Sequence, residues 1–236
     1  DSWRNALVAE PLIRPVLRPP VPVLTVLDDG SQTKGEEIRL RGASFTIGRS
    51  EGDLVLPNDQ TLSSVHAEIQ RVEHRGQFHW LLKDIDTSNG TFVRVNWANV
   101  FDDTVVLLGL RRFRWQVPFA KLRSPSEGAT RMLDAEGEKD HLRPRLLESG
   151  KAGEGLVFEI RQPTTTIGRL GGSADLQIDD PHLALLHATI LHSPPATPLI
   201  ESRKTVNGVW VNVKTIKLSE KVFFRCGEQV FFFRLS

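Results

Sequence analysis

The chain has 236 residues, 39% of them hydrophobic, which is enough to bury a substantial core and lies between one large domain and two ordinary ones. Its 30 basic and 29 acidic side chains nearly cancel, so no overall field favours nucleic acid or an anionic membrane. The single cysteine, Cys226, excludes an internal disulfide and fits a reducing compartment. The sequence shows neither a bilayer-spanning apolar run nor a signal peptide, so we expect a cytoplasmic location and no membrane contact in this segment.

The N-terminal residues 1–21 are rich in proline and arginine, as in the stretch 14–20, Arg-Pro-Val-Leu-Arg-Pro-Pro. Proline has no backbone N–H to donate and favours extended chain, so we expect an exposed tail here instead of a packed element. A docking ligand for another domain is the alternative interpretation of this composition.

Short runs of β-branched and aromatic residues follow, such as residues 78–82, 90–95 and 230–233. Clusters of Gly, Asp, Asn and Pro separate them at intervals of about 8–12 residues, which is typical of a sandwich of short strands. No segment keeps a helical apolar period long enough for a substantial helix. The predicted fold class is therefore all-β, with the 12 phenylalanines and five tryptophans filling the cores.

The run at residues 111–115, Arg-Arg-Phe-Arg-Trp, mixes basic and aromatic side chains and so resembles a surface that binds nucleic acid. Alternation offers a simpler interpretation, in which Phe113 and Trp115 point inward from a half-buried edge strand and the arginines point outward. We therefore expect no nucleic-acid partner.

The chain contains an internal repeat. Residues 46–49, 66–69 and 89–93 recur, in identical or related form, as residues 166–169, 187–190 and 207–211. The offsets of 120, 121 and 118 residues are nearly constant and the order of the motifs is the same. Such agreement is hard to obtain by chance, so the chain is duplicated.

Polar residues separate the two copies, as in Ser-Pro-Ser-Glu-Gly at residues 124–128. This composition predicts a linker at residues 119–142. We therefore predict one domain at residues 22–118 and a second at residues 143–236, with the tail at residues 1–21 before them.

The first copy carries three motifs that place hydrogen-bond donors on neighbouring loops. An arginine follows a glycine at the end of a predicted strand, two serines precede a histidine, and a serine and an asparagine lie in a glycine turn. Guanidinium, hydroxyl and amide groups on adjacent loops form a donor-rich pocket that suits a phosphate. The motif residues are Gly48 and Arg49, then Ser63, Ser64 and His66, then Ser88, Asn89 and Gly90.

In order and spacing these motifs resemble those of the forkhead-associated (FHA) domain, and the resemblance covers both copies. It implies two β-sandwich domains of the SMAD/FHA-like type in tandem. It also implies a non-catalytic module whose loops at one end of the sandwich bind phosphothreonine peptides.

The resemblance assigns a role to each motif residue of the first copy. Arg49 and Ser63 are expected to contact the phosphate, with Ser88 supporting the same pocket. Asn89 is expected to hold the peptide backbone, and Ser64 occupies a position from which some family members contact the peptide. The remaining motif residues, Gly48, His66 and Gly90, are expected to shape and brace the loops.

The second copy departs from this pattern at two positions. Ala184 stands where the first copy has Ser63, and Val206 stands where it has Ser88. Losing two hydrogen bonds to phosphate, at about 1.5 kcal/mol each, would weaken binding about a hundredfold. Arg169 remains, which leaves residual anion binding open. The structural motif residues that the second copy retains are Gly168, His187, Asn207 and Gly208.

We therefore predict a phosphothreonine-dependent, non-catalytic peptide-binding module that acts in signalling or complex assembly through its first domain. The expected partner is a phosphothreonine-containing protein, either a substrate of a Ser/Thr kinase or the kinase itself. No cofactor is expected, and the second domain is expected to pack, to self-associate or to bind protein without phosphate. The alternative is a phosphate-independent scaffold or oligomerisation module of a larger assembly.

Catalysis and metal binding are weaker interpretations. A hydrolase pair of Ser63 and His66 would lack a Gly-x-Ser-x-Gly elbow, and His187 persists in the second copy without its serine. His182, His187 and His192 are spaced by five residues, which suits neither one strand face nor a helical ligand pair. We expect neither an enzyme nor a metal site.

Overall fold

The structure of the chain is a computed structural model in which residues 21–117, 143–149, 155–194 and 196–235 are described. Nearly all of the predicted tail and linker lies outside these residues. The regular elements of the described part are β-strands, which confirms the predicted all-β class. No helix long and apolar enough to cross a bilayer occurs in that part.

Each copy of the repeat contributes ten strands to the described part. The first copy supplies β1 Val23–Leu27, β2 Gly35–Arg39, β3 Ser44–Gly48, β4 Leu54–Val55, β5 Ala67–His74, β6 Gln77–Asp84, β7 Thr91–Val95, β8 Trp97–Asn99, β9 Val105–Leu108 and β10 Arg111–Gln116. The second supplies β11 Arg145–Glu148, β12 Val157–Glu159, β13 Thr164–Arg169, β14 Leu176–Ile178, β15 Ala188–Leu191, β16 Leu199–Ser202, β17 Val209–Val213, β18 Thr215–Leu218, β19 Lys221–Cys226 and β20 Gln229–Arg234. The runs predicted at residues 78–82, 90–95 and 230–233 coincide with β6, β7 and β20.

These strands form three sheets. The largest has ten strands, in the order β12-β11-β10-β9-β17-β7-β19-β20-β1-β2. Two five-stranded sheets, β18-β6-β5-β3-β4 and β14-β13-β15-β16-β8, each pack against one half of it. The result is two β-sandwiches side by side that share one continuous sheet.

Each sandwich has its own core, and both cores contain residues from both copies. In the first sandwich, Trp80 of β6 packs against Phe233 of β20 with ring centroids 6.3 Å apart. In the second, Phe113 and Trp115 of β10 are buried in the same cluster as Ile190 of β15. Burying such a side chain contributes about 1.5–3 kcal/mol, so neither core is complete without the other copy.

The mixed cores arise because the two copies exchange their last three strands. Strands β18 and β19 of the second copy pair with β6 and β7 of the first, and β8 and β9 of the first pair with β16 and β17 of the second. The exchange ends with β20 beside β1 and β10 beside β11. The boundaries 22–118 and 143–236 stay a prediction for the two copies of the repeat, and each packed sandwich contains strands from both copies.

The backbones of the two copies cross where β7 and β17 pair with each other in the ten-stranded sheet. Five residue pairs join these strands in antiparallel register, with Val93 opposite Val211. Each strand therefore leads out of one sandwich into the other instead of turning back within its own. The pairing makes the ten-stranded sheet continuous.

The hairpin turns of the exchanged strands dock on aspartates of the other copy. The N–H of Leu110 donates to Asp180 Oδ2 at 2.8 Å, and the N–H of Glu228 donates to Asp59 Oδ2 at 2.7 Å. Gly227 has a φ of +60°, and a Cβ there would lie 2.4 Å from Asp59 Oδ2, so this turn requires glycine. The same docking in both sandwiches lets each sandwich accept the hairpin of the other copy.

The prediction that residues 111–115 form an edge strand is wrong, because β10 is hydrogen-bonded to β9 on one side and to β11 on the other. The predicted alternation is confirmed, since Phe113 and Trp115 are buried and Arg114 is exposed. The neighbour β11 comes from the second copy, and the local pattern of residues 111–115 contains no information about it.

Cutting the chain between the copies tests the exchange. If a protease site is inserted within residues 119–142 and cleaved, we expect the two fragments to co-elute in gel filtration, because each sandwich needs strands from both. They should separate only in denaturant. Elution of two folded fragments, each at the size of a single copy, would contradict the exchange.

Candidate functional site

The candidate site lies where the loops after β3, β4 and β6 meet at one end of the first sandwich. We call it the first apex and define it as residues 49–51, 59–64 and 86–90. The N–H of Arg49 donates to Ser63 O at 2.8 Å, and the N–H of Glu51 donates to Ser64 O at 3.1 Å. These bonds join the loop after β3 to the loop after β4.

Gly48 permits this close approach of the two loops. A Cβ at Gly48 would lie 2.0 Å from Ser64 O and 2.3 Å from Glu51 O, both of them backbone atoms that cannot move aside. Any side chain would therefore push the Arg49 loop away from the Ser63 loop. The glycine before the arginine is thus a packing requirement of the first apex.

His66 joins the loop after β4 to the loop after β6. Its ring is buried, its Nδ1 accepts the N–H of Ser63 at 3.2 Å, and its Nε2 lies 3.2 Å from Gly90 O. Because a carbonyl oxygen only accepts, the proton belongs on Nε2 and the ring is neutral. Burial lowers the pKa of His66 from its ordinary value of 6.5, which favours this neutral form.

Asn89 makes a second link between the same two loops. Its Nδ2 donates to Thr61 O at 2.7 Å. Its Oδ1 accepts no hydrogen bond from any described residue and remains available to a ligand. Gly90 follows with a φ of +77°, and a Cβ there would lie 2.3 Å from Asn212 Nδ2, so this turn favours glycine.

Asp84 supports the loop that carries Ser88 and Asn89. Its buried carboxylate accepts hydrogen bonds from the hydroxyls of Thr87 and Thr91, at 2.7 and 2.9 Å, and from Lys214 Nζ at 3.2 Å. Burial opposes ionisation, but these donors hold the pKa of Asp84 below its ordinary value. Since Lys214 belongs to the second copy, the strand exchange also supports the first apex.

The donors predicted to meet a phosphate come together at the first apex and are largely uncommitted. Arg49 Nη1 donates to Gln60 Oε1 at 3.2 Å, a contact on an exposed amide that leaves its other N–H groups unused. The hydroxyls of Ser63 and Ser88 have no hydrogen-bond partner among the described residues. A guanidinium and two hydroxyls on three loops of the first apex therefore have donor groups that no described residue uses.

Ser64 differs from the other predicted binding residues. Its hydroxyl lies 3.0 Å from Glu51 Oε1 and 2.7 Å from Ser50 Oγ. The Glu51 contact requires Ser64 to donate its proton, so Ser50 donates to Ser64 in turn. One lone pair of Ser64 Oγ remains, which can accept a peptide N–H but cannot donate to a phosphate.

The equivalent end of the second sandwich, which we call the second apex, has the same framework. It comprises residues 169–172, 180–185 and 205–208. His187 Nε2 lies 2.8 Å from Gly208 O, and Asn207 Nδ2 donates to His182 O at 2.7 Å. A Cβ at Gly168 would lie 2.0 Å from Leu185 O, as at Gly48 in the first copy. The loops are therefore held in the same way at both ends.

The surface of the second apex is apolar where the first is polar. Val206 is 73% exposed, Leu170 and Leu185 of the same apex are also exposed, and Ala184 is half-buried. Ala184 and Val206 are recognised from the sequence because they replace motif serines. The motif comparison does not single out the two leucines. Leu170 and Leu185 stand where the first copy has Ser50 and Ser64, so the change from polar to apolar is visible when the two copies are compared.

Two β-sandwiches with matching loop frameworks define a duplicated all-β module. The family model of the FHA domain matches residues 45–108 and 165–230, which together make up more than half of the chain. The chain therefore belongs to the FHA domain family. Domains of this family are in general non-catalytic modules that bind phosphothreonine-containing proteins.

Two solved structures show a limited similarity to the chain. One structure, from a structural and functional analysis of phosphothreonine-dependent FHA domain interactions, is 15% identical and covers 92% of this chain and 97% of that chain, with a TM-score of 0.35. Full-length yeast Pml1p is 26% identical and covers 31% of this chain and 57% of that chain, with a TM-score of 0.29. No sequence among the curated proteins matches the chain. Membership of the FHA domain family therefore rests on the match to the family model and not on these two structures.

Replacing His66 by alanine tests its bridging role. We expect the free energy of unfolding near pH 7.5 to fall by about 2–3 kcal/mol, because two hydrogen bonds are lost and their buried backbone partners stay unpaired. Denaturant titration measures this change. The exposed His74 provides the control, and His74→Ala should leave the stability nearly unchanged.

The pH dependence checks the protonation state. Because the folded pKa of His66 lies below the unfolded value of 6.5, its contribution is complete above pH 6.5 and declines as the pH falls below it. The loss of stability between about pH 7.5 and pH 5.5 should therefore be smaller in His66→Ala than in the parent protein. Equal losses would contradict a neutral, buried His66.

Proposed function

We propose that the first apex binds phosphothreonine on a partner protein. In this proposal Arg49 and Ser63 contact the phosphate, Ser88 donates into the same pocket, and Asn89 holds the peptide backbone. The observation that carries the proposal is that three loops joined by hydrogen bonds at the first apex carry donors with no partner among the described residues. A phosphate supplies the acceptors that these donors lack.

The energetics favour a phosphate over an unmodified threonine. Phosphothreonine carries about −1.5 to −2 charges, and each hydrogen bond to a charged group contributes about 1.5–3 kcal/mol. Two or three such bonds exceed what a neutral hydroxyl can make in the same place. After the cost of ordering a flexible peptide, we expect a Kd in the micromolar range, about −8 kcal/mol.

Asn89 and Ser64 suit the peptide backbone better than the phosphate. Asn89 has a free Oδ1 and a second N–H, which together match the N–H and carbonyl groups of an extended peptide. Ser64 retains only an accepting lone pair, because its proton is used by Glu51. Glu51 would repel a phosphate placed directly over Ser64, so we place the phosphate on the Arg49 and Ser63 side of the apex.

The module then acts in signalling or complex assembly, reading a mark written by a Ser/Thr kinase in the cytoplasm. Its partner is a substrate of that kinase or the kinase itself. The first sandwich carries this activity without catalysing a reaction.

The second apex favours a different role, because it exposes leucine and valine where the first has hydroxyls. We propose that the second sandwich contacts protein without phosphate, including a second copy of the chain. Arg169 is exposed there, but the nearest motif positions, Ala184 and Val206, supply no hydroxyl. A purely scaffolding function of the whole chain is the second candidate, and the apolar second apex is the observation that favours it.

Removing the guanidinium tests the phosphate site. We expect Arg49→Ala to weaken binding of a phosphothreonine peptide library about a hundredfold, because charge-assisted hydrogen bonds are lost. Fluorescence anisotropy measures this affinity. Arg169→Ala is the matched control, since it removes the equivalent arginine from the second apex, and it should leave the affinity unchanged.

The same titration distinguishes the two candidate functions. If the parent protein binds no phosphothreonine peptide, the proposed phosphothreonine site is wrong and the scaffolding function is the one that remains. Equal binding by the parent and by Arg49→Ala would move the site away from the first apex.

Restoring two hydroxyls tests whether the second apex lacks only those groups. The double variant Ala184→Ser with Val206→Ser recreates the serine positions on a frame already held by His187 and Asn207. We expect calorimetry to show a second peptide site, with the stoichiometry rising from about one to about two. An unchanged stoichiometry in a folded double variant would show that the exposed leucines also prevent binding.

A further inference from the structure

Two cavities open on the face of the ten-stranded sheet that is turned away from both cores. The first has a volume of about 420 Å³, and we call it the junction pocket. Its lining includes Thr61, Asn89, Leu107, Arg112 and Arg225. Thr61 and Asn89 also belong to the first apex, so the pocket is continuous with the proposed phosphothreonine site. Leu107 and Arg112 lie in β9 and β10 on one side of the β7–β17 pair, and Arg225 lies in β19 on its other side.

The junction pocket contains two arginines that lack partners for most of their N–H groups. The Arg112 guanidinium lies 5.3 Å from the ring centroid of Phe92, and no described residue accepts a hydrogen bond from it. Arg225 Nε donates to Gly227 O at 2.7 Å, while its two terminal nitrogens have no partner among the described residues. Neighbouring Arg111 is different, because its guanidinium is bonded to Glu148.

Both arginines are destabilised as cations in this position. Burial lowers the pKa of Arg112, and burial together with the nearby positive charge of Arg112 lowers the pKa of Arg225. The carboxylates of Glu228 and Asp59 each raise the pKa of Arg225 by more than Arg112 lowers it, and burial keeps the net shift downward. Half-buried guanidinium groups whose N–H donors lack acceptors gain from an anion that supplies those acceptors.

The cavity beside the second apex provides an internal comparison. It has a volume of about 240 Å³ and is lined by Asn207 and Trp210, the counterparts of Asn89 and Phe92 at an offset of 118 residues. At the same offset, Val230 replaces Arg112. Arginines outnumber carboxylates in the lining of the junction pocket, and carboxylates outnumber arginines in the second cavity.

Arg225 and Glu228 line both cavities, and Arg111 is paired with Glu148, so the additional positive charge beside the apex that keeps its hydroxyls is that of Arg112. We propose that the junction pocket binds a second anionic side chain, a carboxylate or a phosphate, of the same peptide whose phosphothreonine the first apex reads. Arg112 and Arg225 supply the donors, and Phe92 and Leu107 pack against the carbon atoms of that side chain. This proposal rests on the proposed function of the first apex.

The experiment compares phosphothreonine peptides whose flanking residues are all alanine with peptides that carry one anionic residue at successive positions on either side. One arm uses glutamate and the other uses phosphoserine, so the arms distinguish the two sources of negative charge. We expect at least one position to bind about tenfold more tightly than the all-alanine peptide. That gain should also fall with added salt more steeply than the affinity for the all-alanine peptide.

Variants connect the gain to the pocket. Arg112→Gln should abolish the gain and leave the affinity for the all-alanine peptide unchanged, whereas Arg112→Lys should keep part of it. Arg114→Gln is the matched control, because Arg114 projects from the same strand, is exposed and does not line the pocket. It should keep the whole gain. The salt dependence in the parent protein tests the proposal even if Arg112→Gln does not fold.

The proposal fails if no position gives a gain, or if the full gain survives in Arg112→Gln. Its failure is distinguishable from failure of the phosphothreonine site, which is read from the all-alanine peptide and Arg49→Ala. If acidic peptides without phosphothreonine bind as tightly as those with it and depend on Arg112 alone, the pocket acts independently and the same-peptide proposal is overturned.

Discussion

The antiparallel pairing of β7 with β17 is the interaction on which the rest of the structure depends. Because Val93 lies opposite Val211, each strand leaves its own sandwich and carries the following strands into the other. Each core is thereby completed by the other copy, and the two sandwiches share one sheet. The pairing also places Lys214 against Asp84, so an ion pair between the copies supports the Ser88 and Asn89 loop.

Both apices use the same means to hold their loops, and what differs is the chemistry that they present. A buried neutral histidine and an asparagine link the loops at each end, and a glycine lets them approach closely. Framework and ligand chemistry are thus separable. The second copy has Ala184 and Val206 where the first has Ser63 and Ser88, so two hydroxyls are absent while the framework persists. Retention of His187 in the second copy is then explained by folding.

Much of the fold was predictable because its signals are local. Alternation at residues 111–115 correctly placed Phe113 and Trp115 in a core, and the near-constant offsets revealed the duplication. The exchange could not be predicted, since similar copies offer similar strands and either copy can complete either sandwich. The edge-strand prediction failed for the same reason: the neighbour β11 is recruited from the second copy.

The sequence by itself determined the all-β class, the duplication and the loss of two motif hydroxyls in the second copy, because periodicity, spacing and residue type are properties of neighbouring residues. Tertiary structure alone decided which strands share a core, that Ser64 donates its proton to Glu51, and that Arg112 and Arg225 meet in one pocket. These are pairings between residues distant along the chain. Which residues pair depends on which of several compatible strands become neighbours in the packed sheet. The local sequence pattern does not encode which strands become neighbours.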